Sequence, residues 1–250
     1  MSGSRPAVVV ITGGSRGIGA ATAVQCAKAG YYVCVNFHSQ TVHAEDLVHS
    51  IQGFGGKAIA VQADVAKEAD VVRLFETVDR ELGPVTALVA NAGITGGLGR
   101  IDTITGDRLR AVFETNVFGA FWACREAVLR MSTARGRSGG NIVLVSSQAA
   151  LTGGNQLSHY ASSKAALNAL VIGLAREVAG ESIRVNAVSP GVIDTDQQRN
   201  VPADRQEILK ASLPMKRLGT SNEVAEAILW LLSDRASYVS GAIVPVHGAR

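Results

Sequence analysis

Runs of aliphatic and β-branched residues recur along the chain at residues 7–12 (AVVVIT), 32–37 (YVCVNF), 57–62 (KAIAVQ), 86–91 (TALVAN), 141–147 (NIVLVSS), 183–189 (IRVNAVS) and 241–246 (GAIVPV). Several do not alternate apolar with polar, as expected of strands covered on both faces. Helical patterns fill the gaps at residues 17–29, 42–52, 67–82, 107–131, 157–179 and 222–232. So regular a β-α alternation predicts an α/β fold, a doubly wound parallel sheet with right-handed crossovers and helices on both faces. A length of 250 residues suits one core, so residues 1–250 read as a single domain. The one long stretch without periodicity, 191–220, carries Pro202 and Pro214 and reads as a lid over the carboxyl ends of the strands.

Candidate chemistry begins where the first strand ends. The string Thr12 to Gly19 (TGGSRGIG) lies between a strand and an alanine-rich helix. Glycines there permit a tight turn and close approach of a pyrophosphate, and the N–H groups at the helix start favour its charge. The expected contacts are Gly13, Ser15, Arg16, Gly17, Ile18 and Gly19. An NAD site commonly places an acid at the end of the second strand, to hold the ribose 2′-hydroxyl. Here Asn36, Phe37, His38 and Ser39 occupy that place, and the next acid is Glu45. Arg16 adds a cation, and His38 and Ser39 add donors, so the expected dinucleotide is NADP(H) in preference to NAD(H).

The second constellation is Ser147, Tyr160 and Lys164. Ser147 ends a strand, while Tyr160 and Lys164 stand one helical turn apart and share a face. With TGGSRGIG, Asp64-Val65, ANAG at Ala90 to Gly93, Asn116, YASSK and PGVIDT at Pro190 to Thr195, the chain resembles the short-chain dehydrogenase/reductase family over essentially its whole length. Within that family it is similar to the bacterial branch of 3-oxoacyl-carrier-protein reductases and glucose dehydrogenases. The resemblance implies a seven-stranded Rossmann-type sheet and a catalytic tetrad of Asn116, Ser147, Tyr160 and Lys164.

Hydride exchange with a nicotinamide requires a proton at the substrate oxygen, and Tyr160 is the expected acid/base. An ammonium on Lys164 is expected to lower the phenol pKa. By resemblance Lys164 also holds the nicotinamide ribose, Ser147 bonds the substrate oxygen, and Asn116 holds a water linking Lys164 to solvent. Asp64 and Val65 are implied to flank the adenine, Asn91, Ala92 and Gly93 the central ribose, and Pro190, Gly191, Ile193 and Thr195 the carboxamide. Two departures stand out: Ala90 replaces an asparagine of the commonest motif, and His247 replaces an aspartate of the C-terminal segment, which bears on the subunit contact.

Net charge is +3, with a local cluster at Arg130, Arg135 and Arg137 that reads as a solvated helix end, so no nucleic-acid partner is expected. Cys26, Cys34 and Cys124 lack metal or redox spacing and read as reduced core thiols of a cytoplasmic protein. The five histidines show no zinc-like pairing, so no metal is expected, and His159 reads as a helix-surface residue. No apolar run suits a signal peptide or a membrane span. The expected partner is a small carbonyl or alcohol compound, in a pocket lined by Gln148, Ala149, Leu151, Asn155 and Gln156, and the family implies a homotetramer. The competing reading is an NADPH-binding sensor or scaffold without turnover, against which the intact tetrad argues.

Overall fold

Successive side chains of the central strands enter different cores. In β1 (Val8–Ile11), Val8 and Val10 join one cluster and Val9 and Ile11 the other, and all four are buried. The unbroken apolar runs follow from this, because neither strand face meets water. The computed structural model describes residues 6–195 and 210–249.

The sheet also contains β2 (Tyr32–Phe37), β3 (Ala58–Gln62), β4 (Ala87–Ala90), β5 (Gly140–Val145), β6 (Ile183–Pro190) and, after two short strands, β9 (Ile243–Val246). The short strands β7 (Ile193–Asp194) and β8 (Gly219–Thr220) pair with each other. The seven-stranded sheet is parallel throughout, with order β3-β2-β1-β4-β5-β6-β9. Helices α1 (Gly17–Lys28), α2 (Thr41–Gly53) and α8 (Ser221–Leu232) supply residues to the core on one face. On the other lie α3 (Glu68–Glu81), α5 (Gly119–Met131) and α7 (Ser158–Val178). Fully buried side chains such as Phe75, Leu74 and Ile142 each contribute about 1.5–3 kcal/mol. The single-domain, seven-stranded parallel α/β fold expected from the sequence is the fold observed.

Three local differences matter for the site. The expected helix 107–131 is two helices, α4 (Gly106–Phe113) and α5, joined by a π-helical turn at Glu114–Phe118. Asn116 lies in that turn and bonds outward to a neighbouring loop, which wider backbone spacing accommodates. A short helix, α6 (Ala149–Thr152), follows β5. Of the expected lid, residues 196–209, including Arg199, Pro202 and Arg205, lie outside the described residues. Arg130 is not solvated: its side chain is 15% exposed and pairs with Asp79 at 2.6 Å and with buried Glu126 at 2.8 Å, tying α5 to α3.

The carboxyl ends of β1 to β4 are joined by two asparagines. Asn36 accepts from Gly13 N at 3.2 Å through its side-chain oxygen and donates to Ala63 O at 3.0 Å and Val61 O at 3.3 Å. Asn91 donates to the carbonyls of Thr12 and Gly13, both at 2.9 Å, and its N–H donates to Thr12 Oγ1 at 3.0 Å. Substituting Asn36→Ala strands the Gly13 N–H and two strand-end carbonyls, so urea denaturation is expected to show a loss of about 1–3 kcal/mol.

Candidate active site

At the carboxyl ends of β1, β4, β5 and β6 lies a cleft of about 950 Å³. Ligands of open α/β sheets bind at this position, beside the point where the strand order reverses. One end is the glycine turn, where Gly13, Ser15, Arg16, Gly17 and Ile18 line the wall. Gly13 has φ +60°, and a Cβ on it would lie 2.9 Å from Ala92 Cα. Alanine is therefore excluded both by conformation and by space. Arg16 precedes the first turn of α1, its side chain makes no cap bond, and that turn contains no acid. An uncapped helix start beneath a glycine-rich turn fits a pyrophosphate. Gly19 does not reach the cleft: a Cβ there would lie 2.6 Å from Gly13 O and 2.7 Å from Asn91 Nδ2, so its place is to seat α1 under the turn.

Phe37, His38, Ser39, Asp64 and Val65 line the outer end. The Asp64 carboxylate accepts from Ala66 N at 3.1 Å and lies 3.9 Å from His38 Nε2 and 3.8 Å from Lys67 Nζ. Asn91, Ala92 and Gly93 form the middle, and Pro190, Gly191, Ile193 and Thr195 the opposite wall. His247 packs against that wall rather than standing apart from it. A Cβ on Gly191 would lie 2.7 Å from His247 Cβ, and Gly191 N donates to Val246 O at 3.0 Å.

Ser147, Tyr160 and Lys164 meet at the inner end. Lys164 is 4% exposed, donates to Val145 O at 2.8 Å, and holds its Nζ 5.8 Å from the Tyr160 ring centre. Burial pushes its ammonium down to about 8. Tyr160 differs from the expectation that the ammonium would lower it. Burial pushes the phenol above its ordinary value, and a hydrogen bond with the Ser147 hydroxyl opposes that shift. The physical reason is that both groups share one dry environment, which disfavours phenolate and ammonium alike.

Asn116 is fully buried and does not line the cleft. Its side chain accepts from Ile94 N at 2.8 Å and donates to Ile94 O and Ser163 Oγ, both at 2.9 Å. A Cβ on Gly93 would be 3.2 Å from both Asn116 Oδ1 and Lys164 Nζ, so Asn116 flanks the lysine across that glycine. Four supporting polar residues, Ser146, Asn168, Ser163 and Asn36, were given no supporting part in the sequence. Ser146 Oγ donates to Asn168 Oδ1 at 2.6 Å and lies 3.2 Å from Lys164 O, pinning α7 to the end of β5. Ser163 Oγ donates to Tyr160 O at 2.7 Å, and Asn36 braces the glycine turn. Small polar residues inside apolar stretches are the signal that could have found them. His159 is buried, at 3% exposure, not on the helix surface.

Comparison with known proteins agrees with this geometry. Residues 13–248 match the family described as enoyl-(acyl carrier protein) reductase. The chain is 44% identical over 246 residues to an uncharacterized oxidoreductase of Escherichia coli (strain K12), covering 98% of this chain and 100% of that one. It is 35% identical to a 3-oxoacyl-[acyl-carrier-protein] reductase of Pseudomonas aeruginosa, covering 96% of each. It is 34% identical to glucose 1-dehydrogenase 2 of Bacillus subtilis, covering 96% and 92%. A solved Serratia marcescens short-chain dehydrogenase/reductase variant superposes with a TM-score of 0.90 at 31% identity, covering 97% of each chain. The chain belongs to the short-chain dehydrogenase/reductase family. Members of this family are oxidoreductases that use NAD(P) and act on CH–OH or carbonyl groups. Among the described residues of this short-chain dehydrogenase/reductase, no group of His, Cys, Asp and Glu is placed to hold a metal, and no helix is long and apolar enough to cross a membrane.

Burial of Lys164 has a measurable consequence. The folded chain releases this proton near 8, the unfolded chain near 10.5, so between those values the unfolded state binds more protons and stability rises with pH. Buried cysteines, whose thiols burial pushes up, oppose this at high pH, so the comparison needs a variant. Between pH ~7.5 and ~9.5, denaturation of wild type measured against Lys164→Met is expected to shift by roughly 2 kcal/mol in favour of wild type.

Proposed function

We propose that the chain transfers a hydride between NADP(H) and a small carbonyl or alcohol compound, with Tyr160 as the acid/base. The observation that carries this reading is the half-buried Tyr160 phenol, bonded to the Ser147 hydroxyl and one turn from buried Lys164, in a cleft whose far end is an uncapped glycine turn. When bound, the nicotinamide supplies or accepts the hydride. Everything else falls to the chain. Ser147 orients the substrate oxygen toward Tyr160, and Tyr160 gives that oxygen its proton in reduction and takes it back in oxidation. Lys164 holds the ribose and places positive charge beside the phenol. Asn116 keeps the Gly93–Ile94 backbone and the lysine in register. Such proton transfer by a positioned group contributes about 10²–10⁴-fold to rate.

The outer end of the cleft favours NADP(H). Arg16, His38 and Ser39 all line the cleft, and no acid lies between Phe37 and Glu45 to repel a 2′-phosphate. Asp64, the acid that does line this end, is flanked by His38 and Lys67. Asp64 and Val65 are assigned to the adenine, Asn91 to Gly93 to the central ribose, and Pro190, Gly191, Ile193 and Thr195 to the carboxamide. The part of residues 191–220 that borders this wall is assigned to a cover over the substrate. Exposed Phe118, Phe121 and Ile172 on the outer faces of the π-turn, α5 and α7 support a homotetramer, and three buried free thiols accord with a cytoplasmic setting.

With NADPH and a panel of ketones, sugars and ketoacyl thioesters, Tyr160→Phe is expected to lose about 10²–10⁴-fold in kcat while fluorescence titration shows NADPH binding retained. Binding with no turnover by wild type on any substrate would instead favour a sensor. Because burial raises the phenol, its neutral form prevails at neutral pH. Alcohol oxidation, which needs phenolate, is therefore expected to speed up as pH rises through the alkaline range, and carbonyl reduction is not. For the cofactor, Arg16→Glu is expected to weaken NADPH about tenfold and NADH little, since only the former carries the extra phosphate. Equal losses for both would place the 2′-phosphate elsewhere.

A further inference from the structure

The loop after Gly93, residues 94–99 (ITGGLG), forms part of the cleft wall through Ile94 and Thr95. Its middle is held by a side chain to which neither the sequence reading nor the proposed chemistry gives a part. Arg108, in the first turn of α4, donates through Nε to Gly96 O and through Nη2 to Leu98 O at 2.7 Å. A Cβ on Gly97 would lie 3.0 Å from Nη2, and one on Gly99 2.7 Å from Nη1. Among the described residues no carboxylate pairs with this guanidinium. Its donors go to backbone, and the loop's glycines leave the room that the guanidinium fills.

The loop's other anchors stand at its two ends. Asn116 bonds both the N–H and the carbonyl of Ile94, and Gly99 N donates to Gln156 O at 2.9 Å. Between these ends, Gly96 and Gly97 have φ +71° and +77°, a conformation that costs glycine little and restrains it equally little. Beneath lies His159, both ring nitrogens buried and without a partner, with Nε2 3.3 Å from a Cβ placed on Gly96. It fills space under the loop without bonding to it. Apart from a bond within the loop, from Gly97 N to Thr95 Oγ1 at 3.2 Å, the forked guanidinium is thus the polar contact from outside that fixes the centre of the loop, and its planar geometry dictates the spacing of the two carbonyls it bridges.

We infer that Arg108 is a positioning residue that sets the substrate-side wall of the cleft, acting on Ile94 and Thr95 through the loop wound around it. The inference rests on the reading of this cleft as a hydride-transfer site. The loop's far end bonds to Gln156, next to cleft-lining Asn155, and both were expected in the substrate pocket; loosening this wall therefore weakens substrate binding and leaves the dinucleotide and the acid/base group in place.

The test uses the full chain with NADPH, and ethyl acetoacetate and diacetyl as carbonyl probes. Arg108→Met, which keeps length and removes every donor, is expected to raise probe KM about tenfold with kcat within about twofold and NADPH affinity unchanged. Deuterium exchange of residues 94–99 should quicken in the same variant. Arg108→Lys, able to reach one carbonyl at a time, should recover part of the KM. Gly99→Ala, which drives a methyl group into Nη1 with the arginine intact, should reproduce the defect. A fall in kcat with KM unchanged overturns the assignment, as does parallel loss of NADPH affinity or faster exchange without a KM effect. Should wild type reduce neither probe while binding NADPH, the hydride-transfer reading fails for these substrates, and the substrate role of Arg108 inferred from it fails with it. Unchanged exchange in Arg108→Met would separately overturn the clamp.

Discussion

The Lys164 ammonium is buried at the inner end of the cleft, and the cleft is organised around that fact. Its partner is a backbone carbonyl, Val145 O, at the very end of β5. No acid neutralises it among the described residues, so the charge is carried by dipoles, and its hold on the proton weakens. Such a placement survives only if helix and strand are fixed relative to each other. The bonds from Ser146 to Asn168 and to the lysine's own carbonyl do this, one residue beyond the strand. Tyr160 inherits its position from the same anchorage, being one turn earlier on α7, and Ser163 ties that turn to Asn116.

Burial then acts on both ionisable groups, in opposite directions on the pKa scale. It raises the phenol from its ordinary 10.0 and lowers the ammonium from 10.5 to about 8, so the two are pushed apart and their order in water is reversed. Groups whose values a shared site pushes apart take different parts in proton transfer, here a phenol that keeps its proton and an ammonium that holds its own less firmly. The phenol is therefore poised less by one charge nearby than by a dry site that makes each charge dependent on its neighbours. The Ser147 hydroxyl, which stabilises the phenolate, is the group through which a substrate oxygen would enter that balance.

What was legible in the sequence follows the same division between apolar and polar interiors. The seven strands were readable because each is covered on both faces, and the glycine turn because Gly13 sits where no Cβ fits. Tyr160 and Lys164 share a face by helical spacing alone. The polar supports were harder to read. Asn36 was noticed only as the place where an acid is missing, although its side chain bridges the glycine turn and β3. Asn116 was expected to hold a water, by resemblance; the bonds of its side chain to Ile94 and Ser163 are a further part that no local pattern suggests. His159 and Arg130 read as surface residues because a lone polar residue on a helix usually is one. Each turned inward through a tertiary contact that no local pattern announces.

These buried polar residues concentrate at one end of the molecule. Thr12, Asn36, Asn116, Ser146, Ser163, Lys164 and Ser189 lie at or under the carboxyl ends of the strands, while most of the two large cores is aliphatic. Aliphatic packing tolerates exchange of one hydrophobe for another of similar volume, whereas a network of directed bonds tolerates little. The two parts of the fold thus do different work. The cores hold the sheet together without dictating the shape of the cleft to the last ångström, and the polar layer above them dictates that shape. On the proposed reading, the polar layer serves the proton and the dinucleotide, the parts of the chemistry that do not depend on which carbonyl or alcohol is bound. On the same reading, discrimination between substrates falls to the walls beyond Tyr160, where the loop around Arg108 and the turn after Gly153 meet the cleft.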